Sequence, residues 1–129
     1  MPLNALHHVT VKTADLEATR DFYRDILGLE VGFRPDLNFP GYWLYCGDIP
    51  VVHLVPEGSA IRGGPSSDTG SFDHFAFLAT DFDGIKAKLA SHGIKYREKH
   101  INQPPIDQLF FPDNNNVMVE LNFPRPDHA

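Results

Sequence analysis

Two stretches of this chain spell almost the same pattern 66 residues apart. HVTVKTADL (His8 to Leu16) aligns with HFAFLATDF (His74 to Phe82), histidine on histidine, alternating apolar run on alternating apolar run, and Asp15 on Asp81. A repeat at fixed spacing is the signature of one supersecondary unit used more than once. In each copy the alternating run predicts a half-buried strand, and the aspartate that follows suits the N-cap of a helix.

The helical patterns follow directly. Leu16, Thr19, Phe22, Tyr23, Ile26 and Leu27 recur at three- and four-residue spacing, as do Phe82, Ile85 and Leu89. Gly28 and Gly93 stand where left-handed C-terminal stops belong. An extended segment is expected after each glycine, LEVGF and then IKYRE. A hairpin is expected next in each half: Tyr42–Cys46 with Pro50–Val55, and Gln108–Phe111 with Val117–Phe123. The result is βαβββ written twice. The fold class is therefore α+β: two tandem βαβββ modules forming a curved, cup-shaped mixed sheet with outer helices. At 129 residues the chain has the length of a single domain. Module 1 is expected over about 4–56, a Gly-, Ser- and Pro-rich linker over about 57–71, and module 2 over about 72–123.

Strand alternation sorts the polar residues by face. In LHHVTV, His8 shares a face with Thr10, whereas His7 goes with Val9 and Val11 toward the helix or lies at a frayed strand start. His74 lies opposite Phe75 and Phe77. In the last strand of each module, His53 lies opposite Val52 and Leu54, and Glu120 lies opposite Val119 and Leu121. Three histidines and a carboxylate thus occupy two pairs of repeat-equivalent positions, on the faces turned from the helices. A carboxylate among apolar neighbours is costly unless paired, protonated or metal-bound. Imidazoles with a carboxylate oxygen form a standard donor set for Zn, Ni, Fe or Mn. His8, His53, His74 and Glu120 are the expected metal ligands, converging if the two sheets curve toward each other. His7, His92, His100 and His128 have no such counterparts and are expected at the surface or in structural roles.

Composition narrows the classes. A formal charge of −6 with scattered Lys and Arg argues against nucleic acid as a partner. No apolar run approaches the roughly 20 residues of a membrane span. The start MPLNALHHVTV lacks the pattern of a secretory signal, and the single cysteine, Cys46, excludes an intrachain disulfide. The expectation is a cytoplasmic protein in which Cys46 packs as a small hydrophobe.

The motifs LHHVTVKTADLEATRDFYRDILGLEVG, HLVPEG, FDHFAFLATDFDGIKAKLASHGIKY and FFPDNNNVMVEL, in this order, resemble the vicinal oxygen chelate superfamily of glyoxalases, bleomycin-resistance proteins and extradiol dioxygenases. The resemblance covers nearly the whole chain. It implies paired βαβββ modules around a divalent metal, with ligands from the first and last strands of each module. By position those are again His8, His53, His74 and Glu120. Thr10 matches a threonine near the metal in fosfomycin-resistance enzymes, and Phe110 stands where those enzymes carry tyrosine.

The expected function is a metal-dependent enzyme that chelates neighbouring oxygens of a small molecule, of lyase/isomerase or dioxygenase type. Glu120 or His53 would serve as the acid/base. Thr10, Arg34 and Phe110 are candidate substrate contacts, Arg34 through its fork of donors to a carboxylate or phosphate. A homodimer is expected. The competing class is a metal-free drug-sequestering protein of the bleomycin-resistance type.

Overall fold

The computed structural model describes residues 2–57 and 72–125. The expected linker beyond Glu57, and His128, lie outside them. Ten elements follow in chain order: β1 Val9–Thr13, α1 Leu16–Asp25, β2 Glu30–Gly32, β3 Tyr42–Cys46, β4 Ile49–Pro56, β5 His74–Leu78, α2 Phe82–Ser91, β6 Arg97–Asn102, β7 Pro105–Pro112 and β8 Met118–Pro124. This is βαβββ twice, in two compact units spanning 1–66 and 67–129. Each unit has one four-stranded mixed sheet, ordered β1-β4-β3-β2 in the first and β5-β8-β7-β6 in the second.

The strand pairing is the same in both. The first strand runs parallel to the last (Thr10 opposite His53, Ala76 opposite Glu120), and the remaining pairs are antiparallel. The helices begin and end as their sequences dictate. Asp15 accepts a hydrogen bond from the Ala18 amide and Asp81 from that of Gly84, each satisfying a helix-start donor that has no partner within the helix. Gly28 adopts φ +75°, and the Leu29 amide reaches back to the Tyr23 carbonyl at 3.1 Å, which closes the helix end.

One face of each sheet forms a core. In unit 1, Leu44, Val52 and Leu54 are fully buried together with Tyr23 of α1, whose partner Thr19 bonds Thr13 at 2.9 Å. In unit 2, Leu109, Phe111 and Val119 are fully buried, as is Leu89 of α2. Burying each such side chain contributes about 1.5–3 kcal/mol relative to exposure.

Three expectations need correction. The extended segment expected at Ile94–Glu98 begins instead at Arg97 and runs to Asn102, because its register is set by pairing with β7 through Asn102 opposite Pro105. Cys46 is exposed, at the end of β3 beside the Gly47-Asp48 turn, so it is not a packing residue. His8, expected on the first strand, lies just before it, since β1 starts at Val9; His7 is exposed ahead of the strand, the second of its two expected placements.

Candidate metal and substrate site

In unit 1 the strand register lines up Thr10, His53, Trp43 and Gly32 across β1, β4, β3 and β2. His53 sits in the middle of the row and is only 9% exposed. Its ring stacks on His8 at 3.7 Å between centroids (interplanar angle 10°) and on Trp43 at 4.1 Å (11°). Trp43 flanks it from β3 and His8 from the residue just before β1, the strands on either side of β4. The His53 Nε2 lies 3.0 Å from the Pro50 carbonyl. A carbonyl only accepts, so Nε2 carries the proton and Nδ1 the lone pair. Burial, reinforced by the His8 ring, pushes the His53 pKa down to about 4, which keeps the imidazole neutral at pH 7. His8 is lowered as well, by burial and then by His7. His7 Nδ1 lies 2.8 Å from His8 Nδ1, so one ring donates to the other and His8 Nε2 is left out of that bond.

In unit 2 the equivalent row is Ala76, Glu120, Phe110 and Arg97. His74 Nε2 approaches Glu120 Oε1 at 2.9 Å, and His74 Nδ1 approaches Asp73 Oδ2 at 2.7 Å. The hydrogen bond with Asp73, followed by the Glu120 charge, raises the His74 pKa. The other carboxylate oxygen, Glu120 Oε2, accepts from Asn122 Nδ2 at 2.8 Å and from Gln108 Nε2 at 3.2 Å. Phe110 presents its ring to His74 edge-on at 6.5 Å and carries the Arg97 guanidinium on its face at 4.9 Å.

The four residues expected as metal ligands thus stand as two neighbouring pairs, one per unit. Their chemistry suits a borderline divalent ion. The unit 2 pair also has the right form: its two donor atoms are 2.9 Å apart, Asp73 secures the far nitrogen of His74, and two amides secure the far oxygen of Glu120. The unit 1 pair does not converge as it stands, because the lone pairs of two nearly parallel rings run side by side. One ring must turn for both to serve one ion. Among the described residues, no group of three or more His, Cys, Asp or Glu is arranged to hold a metal.

Thr10 is exposed beside His53. Arg34 lies in the segment between β2 and β3 with its guanidinium over Phe39 at 5.0 Å. Tyr42 turns to the helix side, where its hydroxyl accepts from Arg20 at 3.0 Å. Asp73, Gln108 and Asn122 were not singled out from the sequence as site residues. Period two gave the signal for two of them: Gln108 and Asn122 are two residues from Phe110 and Glu120 on the same strands.

A family model described as Glyoxalase/Bleomycin resistance protein/Dioxygenase superfamily matches residues 5–121. The chain belongs to this superfamily. Within the glyoxalase superfamily it is 31% identical to Glyoxylase I 4 of Arabidopsis thaliana, over 92% of this chain and 70% of that protein. It is 28% identical to the ethylmalonyl-CoA/methylmalonyl-CoA epimerase of Cereibacter sphaeroides, over 92% of this chain and 97% of the relative. The crystal structure of lactoylglutathione lyase from Agrobacterium tumefaciens superposes with a TM-score of 0.71 at 21% identity, covering 95% of this chain and 96% of that one. At that identity the match establishes the glyoxalase fold. No helix among the described residues is long and apolar enough to cross a membrane.

Proposed function

We propose that this glyoxalase-superfamily chain is a divalent-metal-dependent enzyme acting on a small oxygenated molecule, by lyase/isomerase or dioxygenase chemistry. The observation that carries the proposal is the repeated pairing: His8, just before the first strand of its unit, with His53 on the last, and His74 with Glu120 on the first and last strands of theirs. In this reading all four are metal ligands, with the 1–129 chain acting as a single functional domain. The bound ion would supply Lewis acidity to neighbouring substrate oxygens.

The chain's own groups divide the remaining work. Glu120, with Oε2 fixed by Asn122 and Gln108, offers Oε1 to take up a proton. His53, with Nε2–H held by Pro50, has only Nδ1 for ligation and proton uptake alike, and would take a proton only on leaving the ion. Trp43 and Phe110 occupy the equivalent positions beside His53 and Glu120 and would exclude water from them. Thr10 would donate a hydrogen bond to bound substrate. We place the protein in the cytoplasm as a homodimer, a state that light scattering tests.

The decisive experiment is metal analysis of the purified protein after reconstitution with Zn, Ni, Mn or Fe(II). Stoichiometric binding that is lost in both His8→Ala and Glu120→Ala is the expected result. Absence of tight binding, or binding unchanged in Glu120→Ala, would overturn the proposal in favour of a metal-free small-molecule binder. Oxygen uptake with a catechol by the Fe(II) form would select the dioxygenase branch.

A further inference from the structure

Arg34 presents an unusual edge. Its Nε and Nη2 are both shielded from solvent, and neither meets a hydrogen-bond acceptor among the described residues. Buried donors on a charged group are costly to leave unanswered. Arg20, Arg24 and Arg125 each hold a carboxylate. Arg125 also has an unanswered Nε, but its Nη1 and Nη2 are both bonded.

The two idle nitrogens of Arg34 form a specific set. Nε–H and the adjacent Nη2–H point the same way from one edge of the guanidinium, which is the side-on fork that matches two oxygens of a carboxylate or phosphate. The ring of Phe39 at 5.0 Å accounts for the face of the group and leaves the edge without a hydrogen-bond partner among the described residues. Gly41 makes the placement possible. A Cβ there would come within 3.0 Å of Arg34 Nη2 and would collide with the Leu54 carbonyl. The guanidinium therefore lies against the start of β3, beside the His53–Leu54 stretch of β4, and its charge is among those felt by the His53 ring.

We infer that the side-on edge of Arg34 receives an anionic group of the substrate, a carboxylate or a phosphate-type oxyanion, next to the His8–His53–Trp43 stack. The inference rests on the reading above only in assigning this anion to the substrate. Because both nitrogens are shielded from solvent, the atoms that cover them must shift to admit the ligand.

The test uses metal-free full-length protein, so that anion binding is read without an ion to chelate. Malonate and inorganic phosphate are titrated separately while following the Arg34 Nε–H resonance by NMR and the emission of Trp43, the only tryptophan. The expected result is a saturable shift of Arg34 Nε–H with one of the two anions, which tells carboxylate from phosphate. Arg34→Lys, which keeps the charge and loses the fork, should weaken that anion at least tenfold, about 1.4 kcal/mol. No shift of Arg34 Nε–H with either anion, or equal affinity in Arg34→Lys, would overturn the inference. The wild-type resonance decides the matter even if a variant fails to fold. Metal uptake is measured on the same preparations. Loss of the metal reading with the anion shift intact leaves the anion site standing, and the reverse outcome removes the anion site alone.

Discussion

The imidazole of His53 and the indole of Trp43 lie face to face, 4.1 Å apart and 11° from parallel, on adjacent strands. Since His8 covers the other face of the same imidazole at 3.7 Å, any movement that frees His53 also uncovers the indole. Titrating Zn or Ni into the metal-free protein should therefore change Trp43 emission in a saturable way. His53→Ala should remove that response. An emission unchanged at full metal occupancy would mean that the stack stays closed and that His53 is not a ligand.

Asp73 fixes one nitrogen of His74 while the other faces Glu120. Partners of this kind typically tune metal affinity 10–100-fold when removed. Asp73→Asn should weaken metal binding by roughly that factor in competition titrations without unfolding the protein. His7 plays a comparable part for His8 through a ring–ring hydrogen bond, but without the negative charge that Asp73 brings to His74. His7→Ala should weaken binding by no more than about tenfold, whereas His8→Ala should abolish it.

His100 offers a pH test away from the proposed ligands. Its Nδ1 meets Asp107 at 2.6 Å and its Nε2 meets Glu98 at 3.2 Å, and these bonds, Asp107 first, raise its pKa. A histidine raised on folding stabilises the native state below its unfolded pKa near 6.5, and that contribution fades as pH climbs through the raised value. His74 contributes with the same sign, and His8 and His53 with the opposite one. The informative quantity is thus the difference between wild type and His100→Gln. The melting-temperature gap between them should be largest near pH 6 and should shrink as the solution becomes alkaline. A gap independent of pH would show that His100 does not act through its charge.

Gly28 holds a left-handed conformation at φ +75° in otherwise open space. Gly28→Ala should cost about 1 kcal/mol, because a Cβ disfavours that backbone and nothing nearby compensates. Gly28→Asn should cost less. Denaturant melts of the two variants measure the difference, and equal stability to wild type would contradict the capping role.

The repeat made most of the fold legible before any coordinates. Asp15 and Asp81 announced the helix starts, and Gly28 and Gly93 their ends, because these positions have local chemical requirements that leave few alternatives. Period-two alternation sorted His53, His74 and Glu120 correctly because their strands are well bounded. It did not reach His7 or His8, where the strand had not yet begun, and residue type alone misjudged Cys46, the last residue of β3. The start of β6 was misplaced because its register is imposed by β7, a partner remote from IKYRE itself. Gln108 and Asn122 were passed over because neutral amides give no signal until the carboxylate they hold is located.

The parallel pairing of first and last strands has a consequence for how such chains assemble. Every ladder described for β1 to β4 is internal to the first half, and every one for β5 to β8 to the second. Neither half lends a strand to the other. An exchange of halves between two copies of the chain would therefore leave every described sheet ladder intact.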